Sequence, residues 1–343
     1  MQLIETTEFA PQDWAAFVTR SPNAAAYHDP RWLELFARVF SVKTYFVSAR
    51  NAQGGLLGGL PLVLQSSLPF GRYMTSLPFV NYGGPLAQSG EVTSRLASAA
   101  AELAQTHRAR HLELRTFEAD VLGWPQRIDK VTMILSLPDS AEALSKQLGA
   151  KLRSQIKRMD RESPRIRIGG VELVNDFYGV FAVNMRELGT PVYSRSFFRE
   201  ILTSFADEAR IVVVERGAQP VAAGLVYQHR DCMEIPWAAC LAEQKRVGAN
   251  MRLYWECLKL AIERGARRFD FGRCTRDSGT FRFKKQWGAE PTQLYWHYWL
   301  AEGRNVPQLH HGNKRLGLAI RAWQKMPLAA CNWLGPKIVR NLP

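Results

Sequence analysis

Residues with the means for chemistry gather in the last third of the chain. Asp270-Phe271-Gly272-Arg273 closes an apolar run, Arg267 to Phe271, that reads as a buried strand. Ligand sites of α/β sheets collect at such strand ends, so Arg273 can anchor an anionic substrate; its structural reading is a surface salt bridge. Asp270 can accept a proton from an attacking amine or pair with Arg267. Upstream, Lys245-Arg246-Val247-Gly248-Ala249-Asn250 precedes a helical pattern from Met251 to Arg264. A glycine with basic neighbours at a helix start offers free N–H groups and the positive end of the helix dipole, which suits a phosphate. Arg246, Gly248, Ala249 and Asn250 are therefore candidate cofactor ligands, against the plainer reading of a helix-initiating turn. Pro236 interrupts the apolar run Met233 to Leu241. Proline cannot donate to a sheet ladder, so it suggests an edge or bulge where the strand splays open.

Other constellations carry less. The five cysteines are odd in number and contain no C-x-x-C pair, which argues against a disulfide framework and a zinc ribbon and fits a reducing cytoplasm. Cys274 reads as a buried thiol rather than a nucleophile. His310-His311 beside Gly312 reads as a loop, without further ligands at metal-binding spacing. Tyr295 to Trp299 alternates as a strand whose aromatic faces pack.

The elements that position these residues occur twice. Arg31 to Phe40 has Trp32, Leu35, Phe36 and Val39 at helical spacing and is followed by two apolar runs, Tyr45 to Ala49 and Leu56 to Leu64. Ser196 to Ala206 has Phe198, Ile201, Leu202 and Phe205 at the same phases, followed by Ile211 to Glu215 and Val221 to Tyr227. Trp32 and Phe198 stand at an offset of 166. Further on, Leu103-Ala104 and Ala109 to Leu114 answer Leu260-Ala261 and Ala266 to Phe271 at a constant offset of 157. Each reads as a helix feeding a buried strand, so the chain holds two α/β units on mixed sheets.

Between them, Ser140 to Pro164 reads as a helix with Leu144, Leu148, Leu152, Ile156 and Met159 on one face. Its other faces are basic: Lys151 to Arg167 holds seven basic residues against Asp160 and Glu162. Seven more, and no acid, lie from Arg304 to the end. Lys314 to Met326 places Leu316, Ile320 and Trp323 on one face and Lys314, Arg321 and Lys325 largely on the other, the pattern of an interfacial helix on an anionic leaflet. A length of 343 residues suits two domains, and the net charge of +14 favours an anionic partner. Met1 to Trp14 has neither a basic n-region nor an apolar run, and no stretch approaches the roughly 20 apolar residues of a spanning helix, so the expected location is cytoplasmic, with peripheral contact at the inner membrane through the tail.

Asp270-Phe271-Gly272-Arg273 and Gly279-Thr280-Phe281-Arg282-Phe283-Lys284-Lys285-Gln286-Trp287-Gly288-Ala289-Glu290-Pro291 closely resemble the Fem family of aminoacyl and acyl transferases. The nearest resemblance is to the branch associated with the exosortase and PEP-CTERM export system. It extends to Asn81-Tyr82-Gly83-Gly84-Pro85, the basic central helix and Gly189-Thr190-Pro191-Val192-Tyr193. The resemblance implies two GNAT-like acyltransferase domains in tandem, with the substrate in a cleft of the pair. On that pattern residues 1–139 form the first domain, 140–168 the basic linking helix, 169–303 the second domain and 304–343 the tail.

It also implies transfer of an acyl or aminoacyl group to an amine of a cell-envelope or exopolysaccharide precursor. The family's Phe-Lys pair falls on Phe283 and Lys284. Amine attack on an ester or thioester builds an oxyanion, which a fixed ammonium stabilises more than the ground state; alternatively Lys284 grips a substrate phosphate. Arg273, Tyr82, Tyr193 and Trp287 are the expected substrate contacts, the two tyrosines having core packing as the competing reading. No metal and no tightly bound cofactor are expected; the donor is acyl-coenzyme A, an acyl carrier protein or aminoacyl-transfer RNA. The family's transfer-RNA arm does not fit here, because about three residues separate the helix ending near Ala206 from the strand at Arg210. The GNAT phosphate loop is degraded to Lys245, Gly248 and Asn250. The rival readings are a carrier-dependent N-acyltransferase acting on an exopolysaccharide sugar, and a non-catalytic protein binding anionic glycolipid or nucleic acid.

Overall fold

A computed structural model of the chain describes residues 2–6, 10–67, 71–119, 122–307 and 314–341. It divides into two units, Met1–Val131 with Thr292–Leu309 and Arg340–Pro343, and Thr132–Pro291 with His310–Val339. In chain order the elements are β1 (Gln2–Thr6), α1 (Pro11–Arg20), α2 (Pro30–Phe40), β2 (Lys43–Arg50), β3 (Leu56–Ser67), β4 (Gly71–Thr75), β5 (Leu86–Ala87), α3 (Gly90–Thr106), β6 (His111–Thr116) and β7 (Gln126–Arg127). Next come β8 (Lys130–Ser136), α4 (Ala141–Gln147), α5 (Ala150–Arg158), β9 (Arg165–Gly169), α6 (Val174–Glu187), α7 (Arg195–Ser204), β10 (Ala209–Arg216), β11 (Gln219–His229) and β12 (Cys232–Cys240). The chain closes with α8 (Ala249–Glu263), β13 (Arg268–Thr275), α9 (Gly279–Lys285), β14 (Glu290–Gln293), β15 (Tyr295–Leu300), α10 (Lys314–Lys325) and α11 (Leu328–Val339).

The first sheet has the order β1-β2-β3-β4-β6-β15-β7, with β5 on β3; the second has β9-β10-β11-β12-β13-β8-β14. Both follow one plan. The hairpins β2–β3 and β10–β11 are antiparallel, whereas β4–β6 and β12–β13 are parallel. A parallel pair needs a crossover, which α3 supplies in one unit and α8 in the other. Trp32 on α2 and Phe198 on α7, the first pair of the sequence repeat, are both fully buried.

Each sheet is completed by a strand from a distant part of the chain. In the first, β15 lies between β6 and β7; in the second, β8 lies between β13 and β14. The units are thus not the consecutive segments 1–139 and 169–303 expected from sequence. Alternation identifies β15 as a strand but does not single out β8, and periodicity carries no information on which sheet a strand joins.

The helix expected over Ser140 to Pro164 is broken at Gly149, whose extended backbone separates α4 from α5. Its apolar stripe, Leu144, Leu148, Leu152, Ile156 and Met159, is buried as expected. In the tail, α10 and α11 pack on α6, and the Gln324 amide donates to the Glu187 carbonyl (2.8 Å). Trp323 is buried within the second unit, so part of the apolar face expected to meet a leaflet is already covered by protein. No described helix is long and apolar enough to cross a membrane. His310 and His311 lie outside the described residues.

Candidate active site at the end of a splayed strand pair

The parallel ladder between β12 and β13 covers only Cys232–Glu234 against Arg268–Asp270. Beyond it β12 continues to Cys240 and β13 to Thr275 without pairing with each other, and Pro236 sits two residues past their last pair. The splay expected from that proline is present, and it opens the end of β13.

Gly272 turns the backbone there at φ +75°, a conformation open to glycine and strained for other residues. Asp270 holds this turn. Its Oδ1 accepts hydrogen bonds from the Thr132 hydroxyl on β8 (2.5 Å) and from the Gly272 N–H (2.7 Å), and the residue is 1% exposed. A buried carboxylate must be satisfied by donors. Asp270 is therefore committed to fixing the strand end, in place of the proton-acceptor role or the Arg267 pairing expected of it; Arg267 pairs with Asp139 instead. The part played by Thr132 was missed in the sequence, where the signal was a lone hydroxyl inside the apolar run Val131 to Leu135.

Helix α9 starts on Ser278, whose side chain accepts the Phe281 N–H (3.2 Å), and one further turn brings Lys284 back to the strand end. Lys284 is 7% exposed, and its Nζ donates to the carbonyls of Gly272 (2.7 Å) and Arg273 (2.9 Å). An ammonium has three donors, so one remains without an acceptor among the described residues. Burial pulls its pKa below the ordinary lysine range; Cys274, Asp270 and Glu234 oppose that shift, and Arg273 adds to it. Cys274 is buried, as its sequence context suggested.

The aromatic candidates separate. Phe283 is half-buried against Tyr254 (ring centroids 4.9 Å), which stacks on Phe271 (5.6 Å). Trp287 is 1% exposed within the same cluster, so it is core and has no surface to offer a substrate, contrary to expectation. Tyr82, in the first unit, is likewise core, packed between Tyr27 (5.1 Å) and Phe117 (4.6 Å). Tyr193 keeps partial exposure and lies edge-on to Trp237, on β12 beyond the splay (6.4 Å). The Arg273 side chain is exposed beside the Lys284 carbonyl contacts.

The loop before α8 differs from its expected use. Gly248 has φ +92°, but a Cβ there would stand 2.8 Å from the Gln155 carbonyl oxygen and 3.4 Å from the Arg158 Cβ. The glycine is thus explained by the close approach of α5 on its Cβ side, without a pyrophosphate. Ala249 is fully buried, and the Asn250 backbone N–H bonds the Cys240 sulfur. Arg246 is exposed, its carbonyl accepting from Arg158 (3.2 Å).

The first unit has a buried polar centre that sequence reasoning also missed. Glu113 accepts from Arg115 Nε (2.6 Å) and from the Tyr298 hydroxyl on β15 (2.5 Å), and His111 stacks on Tyr73 (5.2 Å).

Comparisons agree with this fold. A family model described as an acetyltransferase (GNAT) domain matches residues 146–285. The crystal structure of FemX is 14% identical, with a TM-score of 0.64 over 86% of this chain and 97% of that one. L-PGS from Bacillus licheniformis is 12% identical, with a TM-score of 0.56 over 92% and 98%. A tandem GNAT protein from the clavulanic acid biosynthesis pathway is 14% identical, with a TM-score of 0.54 over 86% and 94%. No curated protein sequence gives a significant match. The chain thus has a tandem-GNAT, FemX-like fold, and residues 146–285 match an acetyltransferase (GNAT) domain.

Proposed function

We propose that the chain transfers an activated acyl or aminoacyl group to an amine of a cell-envelope or exopolysaccharide precursor, with the reacting carbonyl at the end of β13. The observation that carries this reading is the buried Lys284 ammonium, held by two carbonyls and left with one donor. Attack of the amine on an ester or thioester carbonyl forms the C–N bond and places negative charge on the carbonyl oxygen. The remaining Lys284 N–H stabilises that oxygen more than the neutral ground state, in a site where burial keeps the interaction strong. Collapse of that intermediate breaks the C–O or C–S bond, and the departing hydroxyl or thiol takes the proton that the amine loses. Phe283 excludes water on one side, and Arg273 anchors an anionic part of a substrate. The short connection from Ser204 to Ala209 leaves no room for an inserted transfer-RNA arm.

The test is turnover with acetyl-coenzyme A and with aminoacyl-transfer RNA as donors, using amino sugars and muropeptide precursors as acceptors. Lys284→Met is expected to lower kcat by about 100- to 1000-fold, the usual loss for one oxyanion donor. That variant also strands two carbonyls, so Lys284→Arg, which restores a donor, and a melting curve separate chemistry from folding. Near-normal turnover in folded Lys284→Met would sink the assignment.

A further inference from the structure

We infer that the outer face of α5 is a binding site for a small ligand carrying a di- or polyphosphate group. A cleft of ≈ 540 Å³ in the second unit is lined by Ala150, Arg153, Ser154, Lys157, Arg158 and Arg161. Four of these six are cationic and none is acidic. The volume lies in the range of small-molecule sites, and a concave site suits a compact ligand better than a flat membrane surface does.

The charge is segregated rather than merely abundant. The two acids of the same segment are engaged elsewhere: Asp160 by Arg252, and Glu162 by Arg216 (2.6 Å). Two of the lining cations are held by backbone carbonyls, which orient a guanidinium without neutralising it. Arg153 donates to the carbonyls of Leu148 and Ser145, and Arg158 to that of Arg246. The side chains of Lys157 and Arg161 make no hydrogen bond or ion pair among the described residues. Arg153 and Lys157 stand one turn apart on α5, about 6 Å along its axis, and Arg161 follows in the 3-10 turn Met159–Glu162 that continues the helix. Like charges at that spacing weaken a helix, and nothing within the segment offsets them. An anion with several charges does. Ala150 brings the start of α5, where Gly149 provides no side-chain cap, to the lining of the same cleft.

This inference does not rest on the transfer reaction, because it is read by binding alone. The full chain is titrated at fixed ionic strength with inorganic pyrophosphate, UDP and coenzyme A, with inorganic phosphate as the single-group control. The expected result is saturable binding of the diphosphate compounds, tighter than phosphate. The double substitution Lys157→Gln, Arg161→Gln should weaken it roughly tenfold or more while leaving the melting temperature without ligand equal or slightly raised, since like charges are removed. Arg199→Gln on α7, an exposed arginine elsewhere, controls for net charge. UDP and coenzyme A binding alike points to the diphosphate itself; a preference for one identifies the source. Absence of diphosphate binding, equal weakening by Arg199→Gln, or binding of an RNA oligomer or anionic vesicles that pyrophosphate does not displace would each overturn the inference.

Discussion

The ends of β6 and β13 hold the same device with different outcomes. Glu113 and Asp270 are related by the 157-residue offset of the sequence repeat, and both are buried acids. Each is bonded by a hydroxyl from the strand that completes its sheet, Tyr298 on β15 and Thr132 on β8, at 2.5 Å in both cases. The cations differ. In the first unit Arg115 binds the acid directly, donates to the Val80 carbonyl (2.7 Å) and lies over the Trp296 ring (4.4 Å). In the second, Gly272 takes the corresponding place, and the cation arrives from α9 as Lys284, which binds carbonyls and keeps a donor. One strand end has its charges closed upon each other; the other holds a buried cation bonded to carbonyls alone, beside a splayed pair.

The largest effect that distinguishes them is expected at Arg115. Arg115→Met leaves Glu113 buried without its counter-charge, and removing one partner of a buried pair costs about 3–5 kcal/mol. Denaturant unfolding should show that loss, whereas Lys284→Met should act mainly on turnover. Combining Arg115→Met with Glu113→Gln should recover part of the stability, since the orphaned charge is then gone. An Arg115 variant of normal stability that loses turnover would reverse the roles given to the two ends.

A smaller, matched pair of effects tests the hydroxyl clamps. Tyr298→Phe and Thr132→Val keep shape while withdrawing one donor from a buried carboxylate, at about 1–3 kcal/mol each. Similar losses would show that both exchanged strands are secured in the same way. A neutral Thr132→Val would mean that the Gly272 N–H alone holds Asp270, and the parallel between the units would fail there.

The duplication, the helix-strand order, the splay at Pro236 and the basic face of α5 were all legible in the sequence, because each follows from local periodicity, a missing N–H or a run of charge. The strand exchange was not, since a segment such as Val131 to Leu135 reads the same whichever sheet it enters. Asp270 was legible as a notable acid, but the Thr132 that fixes it is 138 positions away and local spacing could not pair them. Trp287 and Tyr82 were misread for a related reason. An aromatic side chain within a distinctive motif can face a ligand or support the motif from beneath, and only the packing around Tyr254 and Tyr27 decides between these. The same holds for Gly248, where glycine admits a close neighbour and the neighbour proves to be α5.

The smallest expected effect concerns pH. His111 is buried against Tyr73, and burial lowers its pKa from 6.5; Glu113 opposes that shift and Arg110 adds to it. The unfolded chain therefore takes up a proton at this side chain first as pH falls. Its contribution to stability is complete above about 6.5 and declines as pH drops toward the lower folded value. Glu113 also has a depressed pKa, chiefly because Arg115 and Tyr298 outweigh its desolvation, but its stabilisation is lost only below the ordinary carboxylate value of 4.5. The interval between these values thus belongs to His111. In the second unit the corresponding residue is Arg268, exposed and paired with Asp231 (2.8 Å), which does not titrate in this range. Hydrogen exchange at pH 7.5 and 5.5 should accordingly show loss of protection on β4 and β6 and little change on β12 and β13. His111→Phe, which keeps a ring against Tyr73, should remove the difference. An acid response of equal size in both units, or one that persists in His111→Phe, would place its origin outside this histidine.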